Sequence, residues 1–284
     1  MIRTVAVVGT GLIGTSVALA VRRRDVTVFL EDRDEGNARA AATRGAGMLT
    51  APEGPVDLAV LAVPPSQVAP VLAAVQRRGL AEVYTDVAGA KGVPERAVLD
   101  RAPDPSRYVG GHPMAGRERS GPAAAFAELF EGRPWVLTPS SATARTAVLR
   151  ATELVQLCGA TPIEMSSRAH DDAVALTSHV PHLVATLMAA RLLDGPPEAS
   201  RLVGQGLRDV TRIAAGDAGL WADILSINAP AIVPILRAVQ ADLASLVTAL
   251  SPGPTDNVDQ CVDVLSVHEV LQRGVAGVKP LING

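Results

Sequence analysis

Aromatic residues, cysteines and lysines are scarce in this 284-residue sequence, and each shortage limits what it can encode. Aromatic residues make up 2% of the chain, so a core must be packed mainly from small aliphatic side chains, which suits helices. The two cysteines, Cys158 and Cys261, lie far apart, which favours a reducing compartment over a disulfide framework. Lys91 and Lys279 are the only lysines, so the compact ammonium at position 91 is a candidate for a specific role.

Strong charge of either sign is also lacking. The formal net charge is -3 at pH 7, and we find no basic stripe of the kind that nucleic acid or an anionic membrane requires. The N-terminus does not have the layout of a signal peptide, and arginine, aspartate or proline interrupts every apolar run before it approaches the roughly 20 residues that span a bilayer. We therefore expect a cytoplasmic protein that binds a small molecule and neither nucleic acid nor membrane.

The apolar fraction, 48%, is sufficient for one large or two medium-sized domains. In the first half of the chain, short strand-like runs alternate with helical stretches, which is typical of a parallel, doubly wound sheet. The predicted strands are 4–8, 26–30, 57–63, 82–86, 108–111, 135–138 and 161–165. The predicted helices are 15–24, 35–43, a stretch after Pro65, and 143–157. This pattern predicts an α/β domain over residues 1–166.

From residue 167 to residue 284 the pattern is helical throughout. Alanine, leucine and valine recur at three- and four-residue spacing through 168–194, 198–214 and 219–250, and a last helix is predicted over 258–272. The apolar surface of these helices exceeds what they can bury against one another, so a second subunit should cover the remainder. The sequence thus predicts a C-terminal all-helical domain that forms a homodimer.

A glycine-rich turn joins the first predicted strand to the first predicted helix. Gly9, Gly11 and Gly14 form the pattern G-x-G-x-x-G, which in this position indicates a Rossmann-type dinucleotide-binding domain. The first glycine permits a tight turn, the second lets the backbone approach a pyrophosphate, and the third allows close packing of helix on strand. Together with Leu12 and Ile13, these glycines predict a cofactor site at the N-terminus of a helix.

The second predicted strand ends in the acidic pair Glu31 and Asp32. An acid about 20 residues after the glycine turn binds the ribose hydroxyls of a dinucleotide, and Asp32 is the better candidate because it ends the apolar run. This favours NAD as the cofactor, although the adjacent Arg33 would suit the 2′-phosphate of NADP. The predicted cofactor-binding set also includes Val63, Pro64 and Asp86.

Four further segments resemble the prephenate and arogenate dehydrogenase family and follow the family's order along the chain. They are DVAGAK at 86–91, GHPMAGRERSG at 111–121, SHVPH at 178–182, and GLRDVTRIAAGD at 206–217 with Leu-Trp at 220–221. The second and third segments are far more specific than the glycine turn. The resemblance implies oxidative decarboxylation of a cyclohexadienol: hydride leaves the ring carbon that bears the hydroxyl, the ring carboxylate departs as carbon dioxide, and the ring becomes aromatic.

The resemblance also implies roles for single residues. It makes His112 the general base that takes the hydroxyl proton, since a neutral imidazole suits that task. It makes Arg212 the cation that holds the side-chain carboxylate, because a guanidinium fork matches that planar group. By the same resemblance His179 and His182 contact the substrate and Trp221 lies near the pocket.

Two acidic residues, Glu118 and Asp209, match positions that resemble a gate near the subunit boundary of the family. A metal site at His179 and His182 is a competing interpretation. Because there is no adjacent glutamate and no third ligand at a plausible spacing, no metal is predicted.

The sequence departs from the family pattern at two positions. Gly89 stands where the family usually has a serine whose hydroxyl lies near the catalytic histidine, a loss that costs about 1 to 3 kcal/mol if its partner stays buried and unpaired. A water or a different substrate, such as 4-amino-4-deoxyprephenate, would account for the change. Arg117 replaces a residue that is often small or an amide, and a cation there favours prephenate, a keto acid, over arogenate, which carries an ammonium group.

The sequence as a whole favours a prephenate dehydrogenase that uses NAD and forms 4-hydroxyphenylpyruvate, in tyrosine biosynthesis or a related aromatic pathway. Arogenate and 4-amino-4-deoxyprephenate remain alternative substrates. A non-catalytic NAD-binding sensor is a second class, and a generic hydroxyacid or imine dehydrogenase is a third. The third class should carry a catalytic lysine at the start of the helical domain, where only Arg168 and His170 stand.

Overall fold

The computed structural model describes residues 1–117, 119–251 and 262–282. The chain divides into two compact units, Met1–Ala231 and Ile232–Gly284. The first unit contains a seven-stranded sheet with the order β2-β1-β3-β4-β5-β6-β7. Its strands are β1 Thr4–Val8, β2 Thr27–Glu31, β3 Val56–Leu61, β4 Ala81–Asp86, β5 Tyr108–Pro113, β6 Pro134–Thr138 and β7 Thr161–Glu164. Each predicted strand is therefore present, and no strand end differs from its predicted position by more than two residues.

One pair of neighbouring strands does not have the predicted parallel arrangement. β5 and β6 are antiparallel, whereas the other neighbouring pairs are parallel. In the described part of the segment between them, residues 114–117 and 119–133, there are two short 3-10 turns, Pro122–Ala124 and Ala127–Phe130, and no crossover helix. A parallel return needs such a crossover, so the chain comes back antiparallel.

Helices cover both faces of the sheet. In the first unit they are α1 Leu12–Arg22, α2 Glu35–Thr43, α3 Val68–Arg77, α4 Gly92–Arg101, α5 Arg145–Leu157, α6 Ser167–Val174, α7 Val180–Arg191, α8 Gln205–Thr211 and α9 Ala218–Ile227. The side chains of β1 alternate between two apolar clusters. Val5 and Val7 belong to the cluster that holds α1 and α5, and Ala6 belongs to the cluster that holds α3 and α4. The N-terminal fold is thus doubly wound, as the sequence predicted.

The predicted helix over 168–194 contains a break in its hydrogen-bond pattern. A π-helical turn, Ala175–His179, joins α6 to α7 immediately before Pro181. Proline cannot donate the backbone hydrogen bond of a regular helix, and an insertion of this kind is a common response. The turn carries His179 between the two helices. The predicted helix over 198–214 is likewise divided, into two 3-10 turns, Pro197–Leu202 and Arg212–Ala215, that flank α8.

α4 is a helix that the sequence analysis did not predict. Its buried residues are only Pro94 and Val98, so its apolar face is too narrow to give a clear helical period. Pro94 lies in the first turn, where its missing N–H costs nothing.

The second unit consists of the helix pair α10, which runs Ala229–Leu250 and enters the unit at Ile232, and α11 Val264–Ile282. Within it, the Asp263 amide donates to the Ala249 carbonyl at 2.9 Å. The helix predicted over 258–272 corresponds to α11, which begins and ends later. Residues 252–261, with Cys261, lie outside the described part of the chain.

Two helical stretches, Ser167–Asp194 and Ala229–Leu250, are long and apolar enough to cross a membrane by length and composition. This corrects the expectation that no apolar run approaches that length. Core helices of soluble proteins pass the same test, and Ser167–Asp194 carries the buried histidines His170, His179 and His182. The expectation that no membrane is bound stays a prediction.

Candidate active site

The glycine turn between β1 and α1 has the geometry of a pyrophosphate cradle. Gly9 has a φ of +98°, and a Cβ there would lie 2.2 Å from the Ala62 carbonyl oxygen. A Cβ on Gly14 would lie 2.0 Å from the Gly9 carbonyl oxygen, so neither position admits a side chain. A Cβ on Gly11 would meet nothing within 4 Å. This open backbone lies at the N-terminus of α1, where an anion is stabilised, and therefore fits a dinucleotide.

A groove of about 500 Å³ extends from this turn along the ends of β2 and β3. Asp32 is fixed at its edge: Oδ2 accepts the Thr10 amide at 2.6 Å and the Thr10 hydroxyl at 2.8 Å. Its other oxygen accepts the Asp34 amide at 2.9 Å. The carboxylate thus has the place that ribose hydroxyls require. The groove is lined by other residues of the predicted cofactor set, which are Gly9, Gly11, Arg33, Val63 and Pro64.

A second cavity, of about 460 Å³, adjoins this groove along Gly11, Val63 and Pro64. We call it the active-site cavity. The predicted residues Leu12, Ile13, Gly14, His112, Arg117 and Trp221 line it, together with Gly89 and Ile224. The structure therefore brings the glycine turn, the candidate base and the tryptophan to one place.

His112 stands near the end of β5 and is the first member of a hydrogen-bonded chain. Its Nδ1 lies 2.8 Å from Nε2 of His170, and Nδ1 of His170 lies 2.8 Å from Oδ1 of Asp171. Burial lowers the pKa of His112 well below its usual value, and the neighbouring His170 and Lys91 lower it further. His112 is thus a neutral base at neutral pH.

Asp171 anchors this chain to the loop that follows β4. Oδ1 accepts the Lys91 amide and Oδ2 accepts the Gly92 amide, each at 2.8 Å. Burial raises the pKa of Asp171, but hydrogen bonds from His170 and from these two amides outweigh it and lower the pKa. Asp171 is therefore ionised beside His170.

Asp86 does not have the place that the sequence predicted for it. Its side chain is fully buried at the end of β4 and lines neither the groove nor the active-site cavity. Oδ1 accepts the Ala88 amide at 2.7 Å and pairs with the Lys91 ammonium, and Oδ2 accepts the Tyr108 hydroxyl. The Lys91 ammonium also donates to the Gly111 carbonyl at 2.6 Å. Asp86 thus pairs with a buried lysine, and among the described residues it is not part of the lining of the cofactor groove.

His179 is likewise buried within the protein. It is 2% exposed, and its Nδ1 accepts from the Asn228 amide group at 3.0 Å. This hydrogen bond occupies one ring nitrogen and ties the π-helical turn to Asn228. The contact of His179 with substrate stays a prediction.

His182 supports the tryptophan of the cavity. Its ring stacks on Trp221 with 3.6 Å between centroids and 11° between planes. Among the described residues, its buried Nδ1 has no hydrogen-bond partner. His182 does not line the active-site cavity, whereas Trp221 does. The histidine therefore lies behind the indole, and the contact of either ring with substrate stays a prediction.

The remaining predicted residues are spread more widely. Arg117 lines the cavity, with its guanidinium 5.2 Å from the ring centroid of Phe126. Arg212 is exposed and begins the 3-10 turn that precedes the cavity residues Gly216 and Asp217. Asp209 is exposed on α8 and accepts a hydrogen bond from Gln205 at 2.8 Å. Glu118 lies outside the described residues.

The sequence analysis missed four residues that complete the site: Thr10, His170, Asp171 and Asn228. Thr10 lies inside the glycine pattern, and a hydroxyl there was a readable signal. The pair His170–Asp171 gave only a weak signal, because it lies on a helix that is mostly polar, with Ser167, Arg168 and Asp172 beside it. Asn228 gives no signal, because its partners His179 and Asp171 are 49 and 57 residues away.

The position of His179 predicts a pH dependence of stability. Burial, with a contribution from His170, lowers its pKa from 6.5 to about 4. Between these values the unfolded chain binds a proton that the folded chain does not, so stability falls as pH decreases, by about 3 kcal/mol for this group. A His179→Gln variant, which can keep the hydrogen bond to Asn228 without titrating, should lose less stability than the wild type from pH 6.5 to pH 4 in denaturant unfolding.

The matched control for this measurement is the same substitution at His268, an exposed residue of α11. His268→Gln should leave the dependence of unfolding free energy on pH unchanged. An equal slope for His179→Gln and wild type would show that His179 titrates normally in the folded chain.

Comparison with known proteins identifies the family of this chain. Residues 17–164 match the family model described as prephenate dehydrogenase, nucleotide-binding domain, and residues 166–265 match prephenate dehydrogenase, dimerization domain. The chain is 42% identical over 277 residues to the probable prephenate dehydrogenase NovF of Streptomyces niveus, covering 97% of this chain and 76% of the relative. It is 35% identical to the cyclohexadienyl dehydrogenase of Zymomonas mobilis, covering 89% of this chain and 90% of that protein.

A solved structure of a prephenate dehydrogenase also matches this chain. The crystal structure of prephenate dehydrogenase from A. aeolicus in complex with hydroxyphenyl propionate and NAD+ has a TM-score of 0.81 and 25% identity, over 98% of this chain and 96% of that chain. The chain therefore belongs to the prephenate dehydrogenase family and is an NAD-dependent oxidoreductase of the type that acts on a cyclohexadienol.

Proposed function

We propose that this chain converts prephenate to 4-hydroxyphenylpyruvate, with His112 as the general base. The observation that carries the proposal is that His112 lines a cavity continuous with the cofactor groove, while His170 occupies its Nδ1. The opposite nitrogen, Nε2, is left to accept a proton from the ring hydroxyl. NAD supplies the acceptor for the hydride that leaves the same carbon.

Arg117 supports prephenate over arogenate. Its guanidinium lies at the cavity, where a cation attracts carboxylates and repels the ammonium group that distinguishes arogenate. Arg212 remains our candidate for binding the side-chain carboxylate, because its turn leads directly into the cavity residues Gly216 and Asp217.

Gly89 supports a second candidate substrate, 4-amino-4-deoxyprephenate. A Cβ at this position would lie 3.7 Å from Nε2 of His112 and 3.4 Å from Cδ1 of Ile224, both ordinary contacts. A serine would therefore fit, and its absence leaves room beside the base for a different ring substituent. The relation to NovF makes a role in secondary metabolism an alternative to tyrosine biosynthesis.

The test is NADH formation by the purified protein with prephenate, arogenate and 4-amino-4-deoxyprephenate side by side, using wild type, Gly89→Ser and the control Gly89→Ala. We expect the highest kcat/KM on prephenate. Gly89→Ser should change the ratio of kcat/KM between the hydroxyl and amino substrates by about 5-fold, since one hydrogen bond is worth about 1 kcal/mol, and Gly89→Ala should not change it. If the wild type formed no NADH with any of the three substrates, the proposed substrate class would be contradicted.

We also propose that the protein is a cytoplasmic homodimer whose helical domain begins near residue 167. The match of residues 166–265 to a dimerization domain supports this. Exposed apolar side chains on the helices of the second unit, among them Leu243, Val247, Leu271 and Val275, support it as well.

A further inference from the structure

The hydrogen bonds that link His112, His170 and Asp171 have a defined donor and acceptor at each step. Their direction follows from the ionisation of Asp171. Asp171 is a carboxylate, so the nitrogen that faces it, Nδ1 of His170, must carry a proton and donate. A neutral His170 then has an unprotonated Nε2, which must accept. The nitrogen that faces it, Nδ1 of His112, is therefore the donor. The unprotonated Nε2 of His112 is thus the one available to substrate.

A proton that stays on His112 has an unfavourable environment. His112 is partly buried, and the described groups whose charge acts on it are His170, Lys91 and His179, none of which is an anion. The Lys91 ammonium is paired with Asp86, which faces it and not His112. An imidazolium at His112 therefore has no carboxylate in contact among these groups.

A proton on His170 has a better environment. His170 is fully buried, yet its Nδ1 contacts the Asp171 carboxylate at 2.8 Å. That carboxylate is itself fixed by the amides of Lys91 and Gly92. The charged pair nearby on α6, Arg168 and Asp172, is exposed and 3.9 Å apart. An imidazolium at His170 would form a buried ion pair with its partner already oriented.

We propose that His170 and Asp171 are positioning residues that form a reversible proton relay with His112. As Nε2 of His112 takes the proton of the substrate's ring hydroxyl, Nδ1 of His112 passes its own proton to Nε2 of His170. His112 stays neutral, and the positive charge lies on His170 beside Asp171. When carbon dioxide leaves and the ring oxygen becomes a phenolate, both protons return, so no net proton is gained or lost.

This inference rests on His112 as the base of the proposed function, and it extends that role to two residues outside the active-site cavity. The first test is single-turnover NADH formation in mixtures of H2O and D2O, with the substrate that the wild type turns over. Two protons moving in one step make the rate a curved function of the deuterium fraction. We expect that curvature in wild type.

His170→Gln separates a relay from a static hydrogen bond. The glutamine oxygen can accept from Nδ1 of His112 and hold its tautomer, but it cannot take a proton. We expect a single-turnover rate roughly 10- to 100-fold lower, part of the range for general-base catalysis, with unchanged substrate affinity and a linear isotope dependence. His268→Gln, the same substitution at an exposed site, should behave as wild type. A wild-type rate and curvature in His170→Gln, or a linear dependence in wild type, would overturn the relay.

The second test needs no substrate and so distinguishes failure of the relay from failure of the proposed function. Nitrogen NMR of the labelled histidine rings in the NAD-bound protein should show Nδ1 protonated and Nε2 unprotonated in both His112 and His170. Assignment comes from the His170→Gln spectrum. A proton on Nε2 of His112 would reverse the direction of the chain and rule the relay out.

Discussion

Replacing His112 with asparagine should lower kcat about 10²- to 10⁴-fold, the range expected when a positioned general base is removed. Hydride loss from a carbinol carbon builds positive charge unless the hydroxyl proton is taken at the same time. Asparagine cannot take that proton, and its shorter side chain no longer joins His170 to the cavity. The measurement is steady-state NADH formation, with NAD affinity determined separately by fluorescence titration.

His268→Asn is the matched control, since His268 is exposed on α11 and belongs to neither cavity. It should retain the wild-type kcat. A kcat of His112→Asn within a few-fold of wild type, with NAD still bound, would assign the proton transfer to another group.

The lowered pKa of His112 also predicts how kcat/KM depends on pH. Burial, His170 and Lys91 keep the pKa well below the usual 6.5, so the base stays neutral and active as the pH falls through 6.5. The acid limb of kcat/KM in wild type should therefore lie well below that value, and His112→Asn should lack it. A limb at the ordinary histidine pKa would contradict the buried environment of the base.

Replacing Lys91 with methionine should lower the free energy of unfolding by about 3 to 5 kcal/mol, the cost of breaking a buried ion pair by removing one partner. Lys91 is 1% exposed and Asp86 is fully buried, so the remaining carboxylate cannot turn to water. It keeps hydrogen bonds from Tyr108 and Ala88 but loses its cation. Denaturant unfolding of wild type and variant measures the difference.

Lys279→Met is a close control, because it removes the other lysine of the chain from an exposed position on α11. Its effect should be near zero. The double variant Lys91→Met with Asp86→Asn should be more stable than Lys91→Met alone, since no charge is left unpaired. Equal stability of Lys91→Met and Lys279→Met would show that the buried pair contributes little.

The N-terminal fold could be predicted because its signals are local. The apolar runs, the turn Gly9–Gly14 and the acid Asp32 each depend on a few neighbouring residues, and the structure has them where the sequence indicated. Local signals failed where the direction of pairing or a narrow apolar face mattered, as at the antiparallel β6 and at α4. A strand pattern specifies which face is buried and not which way the strand runs.

The features of the site also fall into two groups, those with a local sequence signal and those without one. The amino-acid sequence alone determined the family, the cofactor turn and the candidate base His112. A motif is defined by residue types and their spacing, and both can be read from the sequence without knowing the fold. Only the tertiary structure decided what the polar side chains contact. Asp86 pairs with Lys91, His179 is hydrogen-bonded to Asn228, and His170 joins His112 to Asp171. These contacts join side chains from distant segments of the chain. His112 and His170, for example, are 58 residues apart in the sequence, and no local sequence pattern encodes such a pairing.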